Sequence, residues 1–127
     1  MRKDLLLADV RKYVEVARRA WARWKEGDDL AREALAMALF QVANSIIAMG
    51  EDAHRARNLG IPPTYFAIFE DLKNAGVISE DDLNVVDLLI RLRNRIAHRY
   101  GHVSDRDAET LYALLPAAER IAEKLGN

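Results

Sequence analysis

The chain contains no cysteine. That removes disulfides, thiolate zinc sites and a cysteine nucleophile together, and it fits a reducing compartment. It also lacks an excess of charge of either sign, with 19 Lys+Arg against 20 Asp+Glu and a formal net charge of −1. No global field advertises a nucleic-acid binder, so an anionic partner must meet basic residues concentrated locally. Long apolar runs are absent too. The longest uncharged stretch, 34–50, includes Gln41, Asn44 and Ser45, which is marginal against the roughly 20 apolar residues of a membrane span. Asp4 and Asp9 interrupt the N-terminal "MRKDLLLADV" where a signal peptide needs an apolar region. The expectation is a soluble, cytoplasmic protein with no membrane contact.

What the chain does have is helical periodicity. Its 127 residues, half of them apolar, suffice for one core and are short for two. Residues 4–25 place Leu6, Val10, Tyr13, Ala17, Ala20 and Trp24 on one stripe. "KEGDD" breaks the pattern, and Asp28 or Asp29 can cap a second helix over 30–58, with Leu35, Leu39, Val42, Ile46 and Met49 at helical spacing. That helix is expected to stop at Gly60. "IPPTYFAIFEDLKNAG" reads as a short helix started by the prolines and stopped by Gly76. "SEDD" at 79–82 is a capping-box pattern opening a helix to about Tyr100, and "SDRD" at 104–107 repeats it before a last helix that Pro116 should kink. No stretch alternates as a strand does. The prediction is a single all-α domain over 1–127, an up-and-down bundle of about five helices.

The fourth helix ends in "RLRNRIAHRY". At 100° per residue, Val85, Leu88, Leu89, Leu92 and Ile96 form a core stripe, and Val86, Ile90 and Ala97 a second apolar strip with Arg93 beside it. Two apolar sides predict burial twice, the second time against another copy in a symmetric homodimer. Asn94 and His98 lie one turn apart on the remaining face, beside Asp87 and Arg91. Arg93 and His98 are about 140° apart on an ideal helix, so sharing one site requires loosening near Gly101 or a partner's copy. Arginines in a last turn also complement the helix dipole, at about 0.3–1 kcal/mol each. Yet Arg91, Arg93, Arg95, His98, Arg99, His102 and Arg106 share their segment with only Asp105, which makes the cluster a candidate anion site. Histidine can pass protons near neutrality, arginine can stabilise a pentavalent phosphorus intermediate, and Asn94 can orient the imidazole or a phosphate oxygen. With RNA, the 2′-hydroxyl can serve as nucleophile, and neither metal nor protein nucleophile is needed.

"RNRIAHRY", as R-N-x-x-x-H-x-Y, resembles the signature of HEPN-domain ribonuclease toxins of the HepT-like group. The likeness extends to "LGIPPTYFAIFEDLKNAGVISEDDL" before it and "DRDAETLYALL" after it, over roughly 30–115. The resemblance implies a HEPN-like homodimer with a composite site in the interface cleft, metal-independent RNA cleavage and no cofactor. It also implies a minimal nucleotidyltransferase (MNT) antitoxin that adds AMP to the motif tyrosine. Carried onto this chain, Arg93, Asn94 and His98 are the catalytic residues and Tyr100 the modified one. The basic cluster itself supplies the expected RNA contacts, from Arg91, Arg95, Arg99 and His102, to transfer or messenger RNA.

Competing signals are weaker. "EDAH" spaces Glu51 and His54 as in di-iron bundles, but those need the pair twice and further glutamates, and no second Glu-x-x-His exists. His98 and His102 have zinc spacing but lack a third ligand. Tyr13, Tyr65 and Tyr112 read as core tyrosines, and Trp21 and Trp24 as core or dimer-surface aromatics. Gln41, Asn44 and Ser45 either line the site or are satisfied inside the bundle. The rival function is a non-catalytic helical adaptor that docks a nucleotidyltransferase or a nucleotide through the basic cluster.

Overall fold

Each helix from the second onward begins where a short polar side chain answers the free N–H groups of a first turn. The computed structural model describes residues 2–99 and 103–127. It contains α1 (Arg2–Lys25), α2 (Asp29–Ala56), α3 (Tyr65–Asn74), α4 (Glu80–His98) and α5 (Asp105–Gly126). Asp28 caps α2, accepting from Leu30 N–H at 3.0 Å and from Ala31 N–H at 3.4 Å. Ser79 and Asp82 close a full capping box on α4, at 3.1 and 3.0 Å. Ser104 caps α5 through Asp107 N–H at 3.1 Å. There the expected box is only half made, because Asp107 turns its carboxylate to Arg95. Burial acts to raise the Asp82 carboxyl, but hydrogen bonds from Lys124 and Ser79, with the Lys124 charge, outweigh it and hold it below the usual 3.8. The stability it contributes is present above that value and is lost as pH falls through the lower folded one.

Two expected boundaries move. The prolines do not start α3; Thr64 does, its hydroxyl accepting from Ala67 N–H at 3.1 Å, and Pro62 and Pro63 precede it as non-helical backbone. Helix α2 stops before Gly60. Arg57 and Asn58 N–H groups reach back three residues, at 3.2 and 3.1 Å, and Asn58 takes φ 53°, a left-handed turn that asparagine tolerates better than most residues. Gly76 ends α3 as expected, with φ 81° and Val77 N–H closing on the Leu72 carbonyl at 2.9 Å. Helix α5 runs on through the exposed Pro116.

Helix α2 packs against all four others, and α1 against only α2 and α5. It alone is long and apolar enough to span a membrane among the described residues, yet it lies mostly buried in the bundle. Leu35, Leu39, Val42, Ile46 and Met49 form its inner stripe, each about 1 % exposed or less, and meet Val10, Val14, Phe69, Leu72, Val86, Leu111 and Ile121. Gly50 admits α3: a Cβ there would stand 2.3 Å from Phe69 Cζ, and Phe69 is wholly buried. His54, 3 % exposed, lies 2.8 Å from Asp71 Oδ2 and ties α2 to α3. Both tryptophans belong to the α1–α5 seam. Trp21 stacks on Tyr112 with centroids 4.1 Å apart and meets Trp24 edge-on at 5.6 Å, while the Lys25 ammonium lies 4.4 and 4.3 Å from the two indoles.

The double burial expected for α4 is mostly internal. Val86 and Ile90 are buried within the chain, since α4 packs against α2, α3 and α5 at once. Leu88, placed on the core stripe by periodicity, is 37 % exposed, because that part of the helix circumference is not covered by a neighbour. Ala97 is exposed as well. It borders a groove of about 330 Å³ with Met37, Phe40 and Ile96, and Met37 is 58 % exposed.

Candidate functional site

Asn94 and His98 open on one cleft. It has a volume of about 750 Å³, with Ile90, Asn94 and His98 from α4, Glu51 from α2, Pro62, Pro63 and Thr64 from the connection, and Tyr65 and Phe66 from the start of α3. The one-turn spacing on α4 puts the amide and the imidazole side by side. His98 is the last residue of α4 and is exposed. The helix remains continuous from Arg93 to His98, so the two do not come together by loosening of the backbone between them.

Arg93 does not itself line the cleft, but its side chain stands beside two residues that do, Asn94 and Tyr65. Its Nε donates to Asn44 Oδ1 at 2.8 Å and its Nη1 to Asn94 Oδ1 at 3.1 Å. The guanidinium carbon lies 5.3 Å from the Phe40 ring centroid and 5.7 Å from that of Tyr65, within cation–π range. Both oxygens holding it are neutral amides, so its charge is not cancelled. Among the described residues two of its five N–H donors are used, which leaves donors for an anion. Asn94, with its oxygen engaged by Arg93, keeps its NH₂ for the cleft. Asn44 of α2 thus does not line the cleft but fixes the Arg93 guanidinium beside it.

The other arginines differ. Arg95 puts Nη1 2.8 and 2.9 Å from the two oxygens of Asp107, a carboxylate only 11 % exposed, and this pair pins α5 to α4. Arg91 pairs with Asp87 of its own helix at 3.1 Å. Arg99, the C-cap residue of α4, is exposed. Tyr100 and His102, expected as the modified and an RNA-binding residue, lie outside the described residues, as does Gly101. The Glu51–His54 spacing does not gather a metal site: His54 is engaged by Asp71 while Glu51 faces the cleft. No group of three potential ligands occurs among the described residues.

Sequence reasoning missed the wall opposite α4. Tyr65, expected in the core, is 38 % exposed and lines the cleft with Phe66 and the prolines. The available signal was the Pro-Pro-Thr run, which delays the helix and leaves the aromatics at its first turn. Phe40 likewise read as one more apolar residue of α2, and only the fold sets it under Arg93.

The chain matches the family described as "Ribonuclease HepT-like" over residues 6–125. Comparison with curated protein sequences gives no match. A chain from the complex of tri-AMPylated Shewanella oneidensis HEPN toxin with MNT antitoxin superposes with a TM-score of 0.85 at 16 % identity, covering 97 % of this chain and 95 % of that one. Two crystal structures of mutant forms of the toxin–antitoxin MntA–HpeT give TM-scores of 0.77 and 0.78 at 16 % and 15 % identity. They cover 99 % and 98 % of this chain, and 95 % and 94 % of theirs. At those identities the likeness establishes the five-helix HEPN-like fold.

Proposed function

The chain belongs to the HepT-like ribonuclease family, and from that premise we propose that it is the toxin of a toxin–antitoxin system, a metal-independent endoribonuclease acting on transfer or messenger RNA. The observation that carries the proposal is the opening of Asn94 and His98 onto one cleft, with the amide-held Arg93 bonded to Asn94 at its edge. In the proposed reaction the RNA 2′-hydroxyl attacks the adjacent phosphorus. An imidazole accepts its proton, and a protonated imidazole gives one to the departing 5′-oxygen. A 2′,3′-cyclic phosphate remains. Arg93 stabilises the charge that develops on the phosphoryl oxygens, and the Asn94 amide orients one of them.

One His98 per cleft supplies one of the two proton transfers. The second comes from the His98 of another copy in a symmetric homodimer, proposed to form across the groove where Met37 and Ala97 stand exposed. The MNT antitoxin of the two similar complexes supports a partner of that type here. It would silence the toxin by adding AMP to Tyr100, two residues past His98, placing anionic groups where RNA phosphates bind. Action in the cytoplasm follows from the substrate.

A ribonuclease assay on total RNA with EDTA, comparing wild type with His98→Ala, tests this. Wild type should leave 2′,3′-cyclic phosphate ends, and the variant should fall by at least about a hundredfold, the usual contribution of an acid–base group. Equal activity in the two proteins removes His98 from the mechanism, and cleavage abolished by EDTA removes the metal-free chemistry.

A further inference from the structure

The cleft has a side lobe that the proposed chemistry leaves unused. Past Glu51, Ile61, Pro62 and Ile68, which line both, a recess of about 230 Å³ also meets Arg55 and Gly60. Glu51 is half-buried and has no ion pair or hydrogen bond among the described residues. Its neighbours Asp52 and Arg55 pair with each other at 2.6 Å and Asp52 also pairs with Arg2 at 2.8 Å, so the carboxylate beside it is occupied while Glu51 has no partner among the described residues. A free carboxylate in a cleft meant for phosphate works against binding by simple repulsion. It becomes favourable when N–H donors of the ligand face it.

We propose that this lobe is a guanine-binding subsite, in which Glu51 and Arg55 read the edge of an unpaired base next to the scissile phosphate. Single-stranded RNA is recognised in this way, by bases splayed out and hydrogen-bonded along their edges. The two carboxylate oxygens of Glu51 match two adjacent donors, and guanine alone among the four bases offers them, at N1–H and N2–H. The next atoms along guanine, O6 and N7, are acceptors suited to arginine. Arg55 lies one turn from Glu51 on α2, on the same face, and only its Nη2 is used toward Asp52. Adenine would instead turn the N1 lone pair to the carboxylate and its amino group to the arginine. Ile61, 99 % exposed, and Pro62 offer apolar surface to the base faces at the mouth, with the buried Ile68 beneath.

The subsite rests on the ribonuclease reading only for the substrate being RNA. Two measurements on the full chain separate the claims. In the first, RNA of random sequence is cleaved and the new ends are sequenced for wild type and Glu51→Gln. Wild type should cut beside guanosine, and the ratio of guanosine to other sites should fall by about tenfold or more in the variant, within the range of one bidentate base contact. An unchanged ratio overturns the proposal, and so does loss of cleavage at every sequence alike, which would make Glu51 part of the proton transfers. In the second, 3′-GMP and 3′-AMP are titrated into both proteins without any reaction. A tenfold preference for 3′-GMP that vanishes in Glu51→Gln supports the subsite even if wild type cuts no RNA, in which case the ribonuclease reading falls alone. Equal binding of the two nucleotides overturns it. Arg55→Gln, on an exposed side chain, gives the same readouts should Glu51→Gln fail to fold.

Discussion

What distinguishes Arg91, Arg93 and Arg95 from one another is the kind of oxygen each one meets. Arg91 and Arg95 face carboxylates, which cancel their charge for any approaching phosphate. Arg93 faces two amide oxygens, which fix its geometry and leave its charge whole. The distinction predicts the outcome of a nearly isosteric change, Asn44→Asp. The new carboxylate would pair with Arg93, tighten the α2–α4 contact and compete with the substrate. Cleavage should fall by at least about tenfold, the equivalent of roughly 1.4 kcal/mol of charge stabilisation, while the melting temperature holds or rises. A thermal melt run beside the ribonuclease assay checks both, and a fall in both together would mean that Asn44 serves only the fold. In the sequence these arginines look alike. The motif singles out Arg93 by position, but what holds it with its charge uncancelled includes Asn44, 49 residues away.

At the scale of elements, the close approach of α3 to α2 decides where the cleft wall stands. Gly50 makes room for the Phe69 ring, and the residues just before and within the first turn of α3, from Pro62 to Phe66, form that wall. Gly50→Ala should push α3 outward and cost about 1–3 kcal/mol, the usual penalty of overpacking. Chemical denaturation measures the loss, and the cleavage rate at low temperature should drop with it because Tyr65 and Pro62 move with the helix. Stability equal to wild type would show that Phe69 relocates freely. The helices themselves were readable in advance, because apolar spacing and the caps at Asp28, Ser79 and Ser104 are local facts of the chain. Gly50 was not. A glycine inside a helical pattern carries no local sign of the ring that will lie against it, and the same holds for Leu88, whose exposure depends on which neighbours the bundle supplies.

For the whole molecule, the site joins parts far apart in the chain: Glu51 from α2, Tyr65 from α3, and Asn94 and His98 from α4. Sequence motif reading reached the α4 share and missed the opposite wall, since "PPT" marks where α3 starts late but not which surface the aromatics of its first turn will face once the fold is made. The proposed dimer belongs to this scale. Met37→Asp would put a charge in the apolar groove beside Ala97, so it should weaken self-association by about 2 kcal/mol or more, as loss of a central interface anchor does. Light scattering across a dilution series reads the shift, and cleavage should decline in step with the dimer. An unaltered dimer would place the interface elsewhere. The α1–α5 seam has an optical consequence. Both tryptophans of the chain sit there, against Tyr112 and Lys25, and the cleft contains none among its lining residues. Intrinsic indole emission therefore reports the undocking of α1 from α5. RNA entering beside His98 would change that signal only through the scaffold, which makes the native protein a quiet background for a fluorophore introduced at Tyr65.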